Sequence, residues 1–302
     1  MNFPISGTQI TPVYLVALGF IVGVLGGLFG VGGSFLAGPA LFGLGVPMNF
    51  VVGTDLAHIV GKSVVGARKH YALGHVDIKL GMIMMFGTIP GVELGAQGIE
   101  KLKHLGKVDI AVGTGFIIIL LSVAGFMTWE GWKTLYASNN RSGAHSRELP
   151  IFSQIFKKVQ KIGLRPHVCL PKSGINQISL WAILGLSFVG GVLSGFLGGG
   201  AGYVRLPSMI YLLGVPTHIA VGTDLFEIIV SAGYGTVSHA LKGNVDILIA
   251  LVMHTGAAIG AQIGTILTRY LSGIWLRIAF IPLPVVGAGI ILYNLIHGHP
   301  HQ

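Results

Sequence analysis

Asp55 and Asp224 sit in identical pentapeptides, Val52-Gly53-Thr54-Asp55-Leu56 and Val221-Gly222-Thr223-Asp224-Leu225. Further ionisable residues surround each copy: His58 and Lys62 follow Asp55, Glu227 follows Asp224, and Arg205 precedes it. All lie in apolar stretches, where a charge is costly and marks a functional position by default. Three of these positions differ between the copies, Lys62 aligning with Ser231, His58 with Glu227 and Arg205 with Ala37. A scaffold role would recur in both copies, whereas side chains present in one only suit a ligand that is itself asymmetric. Lys62 and Arg205 contribute one cation per copy and read as a clamp for a small oxyanion, Arg205 as a planar fork and Lys62 as a point charge. The competing reading pairs them with Asp55, Asp224 or Glu227. Thr54-Asp55 and Thr223-Asp224 also fit a helix N-cap. A free imidazole titrates near neutral pH, so His58 is the expected carrier of a coupling proton, with Glu227 as the alternative.

Glycine runs lie close by. Gly26 to Ser34 includes Gly32, Gly33 and Ser34, and its counterpart includes Gly200, Ala201 and Gly202. Such runs turn the backbone sharply into the start of a helix, whose first N–H groups have no partners and attract an anion. Glycines also let membrane helices pack tightly. Two matched runs, each beside a segment with ionisable groups, favour the anion reading.

These residues must be positioned by elements in lipid. Only 10% of the 302 residues are charged and 52% are hydrophobic, with a mean hydropathy of +0.77. A soluble surface carries roughly 25% charged residues, so the chain is an all-α polytopic membrane protein. The net charge of +9 then bears on orientation, not on nucleic acid. Cys169 is the only cysteine, which excludes an intramolecular disulfide and CxxC chemistry. No metal site or cofactor is expected, and no GxxxxGK[ST] nucleotide loop is present. His297, His299 and His301 read as a terminal tail, and Glu93 and His254 as secondary polar positions. A Ser194/His254 pair is the faint basis for an intramembrane enzyme, but the motif that would support it is missing.

The chain repeats. Gly45-Val46-Pro47 answers Gly214-Val215-Pro216, Gly74-His75-Val76-Asp77 answers Gly243-Asn244-Val245-Asp246, and Gly95-Ala96-Gln97 answers Gly260-Ala261-Gln262. Each half offers five apolar segments, at 13–29, 34–46, 50–67, 80–99 and 108–129, then 178–197, 203–215, 219–237, 245–267 and 274–296. The second of each five is too short to cross a bilayer and is broken by glycine; such pieces at matching places point to a transporter's binding site. Five passes per half make the repeats inverted, the preferred reading; a second and third segment that together form one crossing or a re-entrant pair would change the parity and allow parallel repeats. The division is a first transmembrane repeat over 1–132, a basic linker over 133–176 and a second repeat over 177–302. The linker holds Lys133, Arg141, Arg147, Lys157, Lys158, Lys161, Arg165 and Lys172, with an amphipathic helix over 151–162, and is expected at the cytoplasmic face. Residues 1–61 contain no Lys or Arg, so the first apolar run is a retained helix with its N-terminus outside.

The glycine run leading to Pro39, the Gly-x-Pro at 45–47, the Gly-Thr-Asp-Leu at 53–56 and their second copies resemble the sulfite exporter TauE/SafE family of membrane permeases. The resemblance covers nearly the whole chain outside the linker. It implies secondary transport of a small sulfur-containing anion, such as sulfite or an organosulfonate, in a prokaryotic cytoplasmic (inner) membrane, with about eight crossings. The expected partners are the anionic substrate, the lipid bilayer, a proton or other coupling ion and a second copy in a homodimer. The alternative from the residues themselves is a cation carrier or channel built on Asp55, His58, Asp224 and Glu227.

Overall fold

The computed structural model describes residues 1–139 and 164–297. The expected amphipathic helix at 151–162, His299 and His301 lie outside the described residues. Two small antiparallel hairpins accompany an otherwise helical chain, β1 (Asn2–Phe3) with β2 (Thr8–Gln9), and β3 (His167–Leu170) with β4 (Ile175–Ser179). The helices are α1 (Pro12–Phe29), α2 (Ser34–Gly43), α3 (Met48–Ala72), α4 (Ile78–His104) and α5 (Val108–Asn139), followed by α6 (Leu180–Leu197), α7 (Gly202–Tyr211), α8 (Thr217–Leu241), α9 (Ile247–Leu267), α10 (Gly273–Phe280) and α11 (Pro282–His297). Among the described residues, seven helices are long and apolar enough to cross a membrane. The 25-residue α8 is not one of these, because Asp224, Glu227, His218 and His239 lower its hydropathy. At ~1.5 Å per residue it still extends about 37 Å, and its polar groups face other helices.

Several boundaries differ from the sequence reading. Helix α5 runs on to Asn139, past the expected boundary at 132. Residues 167–179, which straddle the expected linker boundary at 176, form a hairpin that leads into α6 as the β1–β2 hairpin leads into α1. The segment 274–296 is two helices, because Pro282 has no N–H to continue a helix and is suited to starting one.

The directions of the helices follow from who meets whom. Gly19, Gly23 and Gly27 of α1 lie against Met253, Ala257 and Ala261 of α9, so the two run parallel. Gly87, Gly91 and Gly95 of α4 meet Leu184, Phe188 and Val192 of α6 in the same sense. At the centre α3 and α8 run antiparallel, since Leu56 meets Gly235 and Gly66 meets Leu225. Helix α3 is parallel to α9, through Thr54 with Asp246 and Gly61 with His254. Helix α8 is parallel to α4, through Thr223 with Asp77 and Ser238 with Glu93. Thus α1, α3 and α9 point one way, and α4, α6 and α8 the other. The ten-residue α2 runs with α11, Phe35 beside Gly287 and Gly43 beside Asn294, while α11 opposes α5, Leu120 beside Gly287 and Leu295 beside Gly113. Since α5 turns back from α4 after a three-residue connection, α2 opposes α1 and α3 and returns the chain between them.

Small residues are obligatory where helices touch backbone to backbone. A Cβ on Gly23 would lie 2.4 Å from the Ala257 carbonyl oxygen, and one on Gly91 2.4 Å from that of Phe188. Gly289 of α11 has nothing within 4 Å. Gly23→Leu is expected to destabilise the purified protein by about 3 kcal/mol or more, at or beyond the upper end of overpacking costs, while Gly289→Ala leaves it unchanged; thermal unfolding in detergent reads both.

Candidate functional site

Asp55, His58 and Lys62 fall at i, i+3 and i+7 and share one face of α3; Asp224, Glu227 and Ser231 do the same on α8. All six are buried. On α3, Lys62 Nζ lies 3.3 Å from His58 Nδ1, and His58 Nδ1 lies 3.5 Å from Asp55 Oδ1. Nδ1 thus faces both groups, accepting from Lys62 when the ring proton sits on Nε2 and donating toward Asp55 when it sits on Nδ1. That Nε2 has no hydrogen-bond partner, and neither carboxylate oxygen of Asp55 has one.

On α8 the same helix positions make a different set. Ser231 Oγ donates to Glu227 Oε2 at 3.2 Å. Arg205, from α7, donates through Nε to Asp224 and forms an ion pair through Nη1 with Glu227. One guanidinium thus faces two carboxylates in full burial. Asp224 Oδ2 and Glu227 Oε1 make no hydrogen bond. Lys62 bonds within α3 and Arg205 bonds to α8, so the two cations head separate constellations and Arg205 is already engaged, as the ion-pair reading anticipated. Ala37, the counterpart of Arg205, is buried on α2.

The glycine turns cross between α3 and α8. Gly32 lies beside Ile59 and the Gly199 carbonyl, and Gly202 packs on Val31 and the Asp224 carboxylate. Gly33, which precedes α2, has φ +73°, and a Cβ there would sit 2.4 Å from the Val22 carbonyl oxygen. Ala201 takes the matching place before α7 at φ +49°, a left-handed conformation that costs a non-glycine residue of order 1 kcal/mol or more. Ser34 is the first residue of α2, and Gly200 lies in the 3₁₀ turn Gly199–Ala201. Next along α7, the Tyr203 hydroxyl is buried without a partner, within electrostatic reach of Asp55. A cleft of about 340 Å³ between α6 and α7 has Arg205 in its wall, with Gly190 against its Cδ, and opens beside Val189 and Leu212, both exposed.

A family model described as "Sulfite exporter TauE/SafE" matches residues 15–290. The chain belongs to that family. It is an integral membrane protein of a family of membrane transporters. It is similar to the "Probable membrane transporter protein YunE" of Bacillus subtilis, 29% identical over 85% of this chain and 88% of the relative. The "Probable membrane transporter protein YjnA" of the same organism is 27% identical over 93% of this chain and 97% of the relative. A plant relative, the "Sulfite exporter TauE/SafE family protein 5" of Arabidopsis thaliana, is 22% identical over 45% of this chain and 32% of its own length. No solved structure matches.

In this TauE/SafE protein, Thr54 and Thr223 act as joints between the halves. The Thr54 hydroxyl accepts the Asp246 N–H, and the Thr223 hydroxyl accepts the Asp77 N–H, each at 2.9 Å. Asp77 and Asp246 cap α4 and α9, and are held in turn by Ser173 and Ser6 of the two hairpins. Asp55 and Asp224 lie inside their helices, in the third turn, so the N-cap expectation fails: the caps are Asp77 and Asp246, each 22 residues further on, at the starts of α4 and α9. His70 and His239, which lie 169 residues apart like Asp55 and Asp224, are not among the residues expected from the sequence. Their Nε2 atoms contact the Gly27 and Gly195 carbonyls at 3.1 and 2.9 Å and tie α3 to α1 and α8 to α6. Ser194 is buried in α6 with no hydrogen bond, and the His254 ring lies on Gly61 of α3, so the Ser/His pair is not assembled.

Removing one partner of a buried ion pair costs about 3–5 kcal/mol because the other charge stays buried. Arg205→Ala is therefore expected to lower thermal stability by that order, and the triple change Arg205→Ala, Asp224→Asn, Glu227→Gln to recover much of it. Equal loss in both variants would mean that packing, not charge, is what Arg205 supplies.

Proposed function

We propose that the protein is a secondary transporter of a small sulfur-containing anion, held between the two halves and passed across by alternating access. The observation that carries this reading is the buried pair of ion constellations at the crossing of the glycine turns, with polar atoms of Asp55, Tyr203, Asp224 and Glu227 left without partners. Unsatisfied buried polar groups are expensive and mark a place for a ligand or proton. Membership of the TauE/SafE family supports the permease, and a family named for sulfite supports the class of anion. Lys62 and the starts of α2 (Gly32, Gly33, Ser34) and α7 (Gly200, Ala201, Gly202) supply positive potential. Arg205 joins them when a proton neutralises Glu227 or Asp224, which makes the coupling ion a proton. With both carboxylates ionised, the Arg205 cluster carries one uncompensated negative charge, and that specific excess favours the second reading, a cation carrier using Asp55, His58, Asp224 and Glu227.

Helix α7 runs alongside α5, Tyr203 beside Phe116 and Tyr211 beside Phe126, and so against α2; with the opposed directions of α1 and α6, α3 and α8, and α4 and α9, this supports an inverted repeat with a pseudo-two-fold axis between α3 and α8. The hairpin that follows the linker lies with Arg68, Lys69, Lys79 and Arg269 at one end, Lys79 donating to the Cys169 carbonyl. By the positive-inside rule that end is cytoplasmic, in a prokaryotic inner membrane.

Proteoliposomes loaded with sulfite, thiosulfate, methanesulfonate or a carboxylate test the substrate. Flux of a sulfur oxyanion that falls at least about tenfold in a folded Lys62→Gln variant, a loss of about 1.4 kcal/mol, is the expected result. No flux of any sulfur anion by folded protein would sink it. Cation flux abolished by Glu227→Gln, with no anion movement, would establish the second reading instead.

A further inference from the structure

Three histidines stack at the linker-side end of the central seam. His70 belongs to α3, His75 to the α3–α4 connection and His218 to the first turn of α8. The His70 and His75 ring centroids are 5.7 Å apart, and those of His75 and His218 are 5.2 Å apart at 32° between planes. The Nδ1 atom of each is buried and has no hydrogen-bond partner. His70 is fully buried, while His75 and His218 are half-buried, so water reaches the outer edge of the stack. The stack bridges the halves beside the Asp77–Thr223 joint, and Gly222 of α8 packs on the His75 carbonyl.

The opposite end of the seam carries the same joint with different chemistry. By the repeat, His75 corresponds to Asn244 and His218 to Asn49, and there the Asn49 amide donates to the Asn244 carbonyl oxygen at 3.1 Å. Lys103 also donates to that oxygen, and the Asn244 amide donates to Glu100. An amide pair does not titrate between pH 5 and 8, whereas imidazoles do. At the two matched positions one end therefore carries an amide pair, which does not titrate, and the other a pair of imidazoles, which can.

We propose that the His70–His75–His218 stack is a proton-binding site that latches the linker-side end of the seam, closed when the rings are neutral and released when they take up protons. The proposal rests on the alternating-access reading above. Every charged neighbour that faces His75 and acts on it is a cation: Arg269 after α9 and Lys172 in the β3–β4 hairpin. Asp77, two residues on, is already engaged by Ser173 and the Leu80 N–H. Burial, followed by His218, Arg269 and Lys172, lowers the pKa of His75 below its ordinary value. A second charge would arise at His218, beside the positive end of α8. The closed latch thus binds protons worse than the open one, and by linkage acid favours opening.

Cysteine accessibility tests this in the full-length protein in liposomes. In a Cys169→Ser background, Val76→Cys places a reporter at a buried position of the seam, and Tyr71→Cys, at an exposed one, corrects for the reagent's own pH dependence. Labelling at position 76 relative to 71 is expected to rise about fivefold between about pH 7.5 and about pH 5.5, and His75→Asn with His218→Asn, which copies the other end, should abolish the rise. His218→Asn alone serves if the double variant does not fold. A rise that survives the asparagine changes, or no rise in either protein, would overturn the latch. Labelling changes driven by sulfite at constant pH report on alternating access separately, so the two readings fail independently.

Discussion

A guanidinium buried in the middle of a membrane protein has no water to fall back on, and the arrangement around Arg205 follows from that constraint. Its charge has to be met by side chains on a neighbouring helix, so α8 presents Asp224 and Glu227 on one face and α7 must approach closely enough to reach them. Close approach requires the glycine turn before α7, including Ala201 in a conformation that a side chain resists. In α3 the matched positions hold Asp55 and His58, and the cation, Lys62, comes from the same helix. Two halves of similar sequence have thus met the same electrostatic demand in two ways.

That difference gives the centre its chemistry. On α3 a lysine and an aspartate flank one imidazole; on α8 one guanidinium faces two carboxyl groups. A proton on either carboxylate would remove the excess negative charge of the ionised pair and loosen the hold on Arg205, which under the proposed function would tie the protonation state of the cluster to its readiness for an anion. The helices around the centre are closed by backbone contacts at glycine, by Thr54 and Thr223 on the opposite half's capping loop, and by His70 and His239 on the first helix of their own half. All of these cross between elements that alternating access would have to move, or bind together those that would move as one body.

Much of this was legible in the sequence because a pattern that recurs stands out from noise: Asp55 and Asp224, the glycine runs and the short α2 and α7 all appear twice. The same test would have found His70 with His239, and Ser6-Gly7 with Ser173-Gly174 in the hairpins, had it been applied beyond the apolar segments. Direction and pairing were not legible. That Thr54 accepts an N–H from Asp246, 192 residues away, depends on α3 running parallel to α9, which no local pattern encodes. Nor could spacing decide whether Arg205 clamps a ligand or pairs with Asp224 and Glu227, since both readings place the same residues together. The break at Pro282 was written in the sequence but was outweighed by the hydrophobicity around it.

The central claim is that proton uptake by the Arg205 cluster prepares the anion site. Thermal stabilisation of the purified protein by methanesulfonate, whose own charge is constant across the neutral range, measures it directly, because a ligand that binds only the folded state raises its stability. The account predicts stabilisation that grows as pH falls in the unaltered protein and is already present at neutral pH in Glu227→Gln. Stabilisation independent of pH in the unaltered protein, or lost in Glu227→Gln, would contradict it.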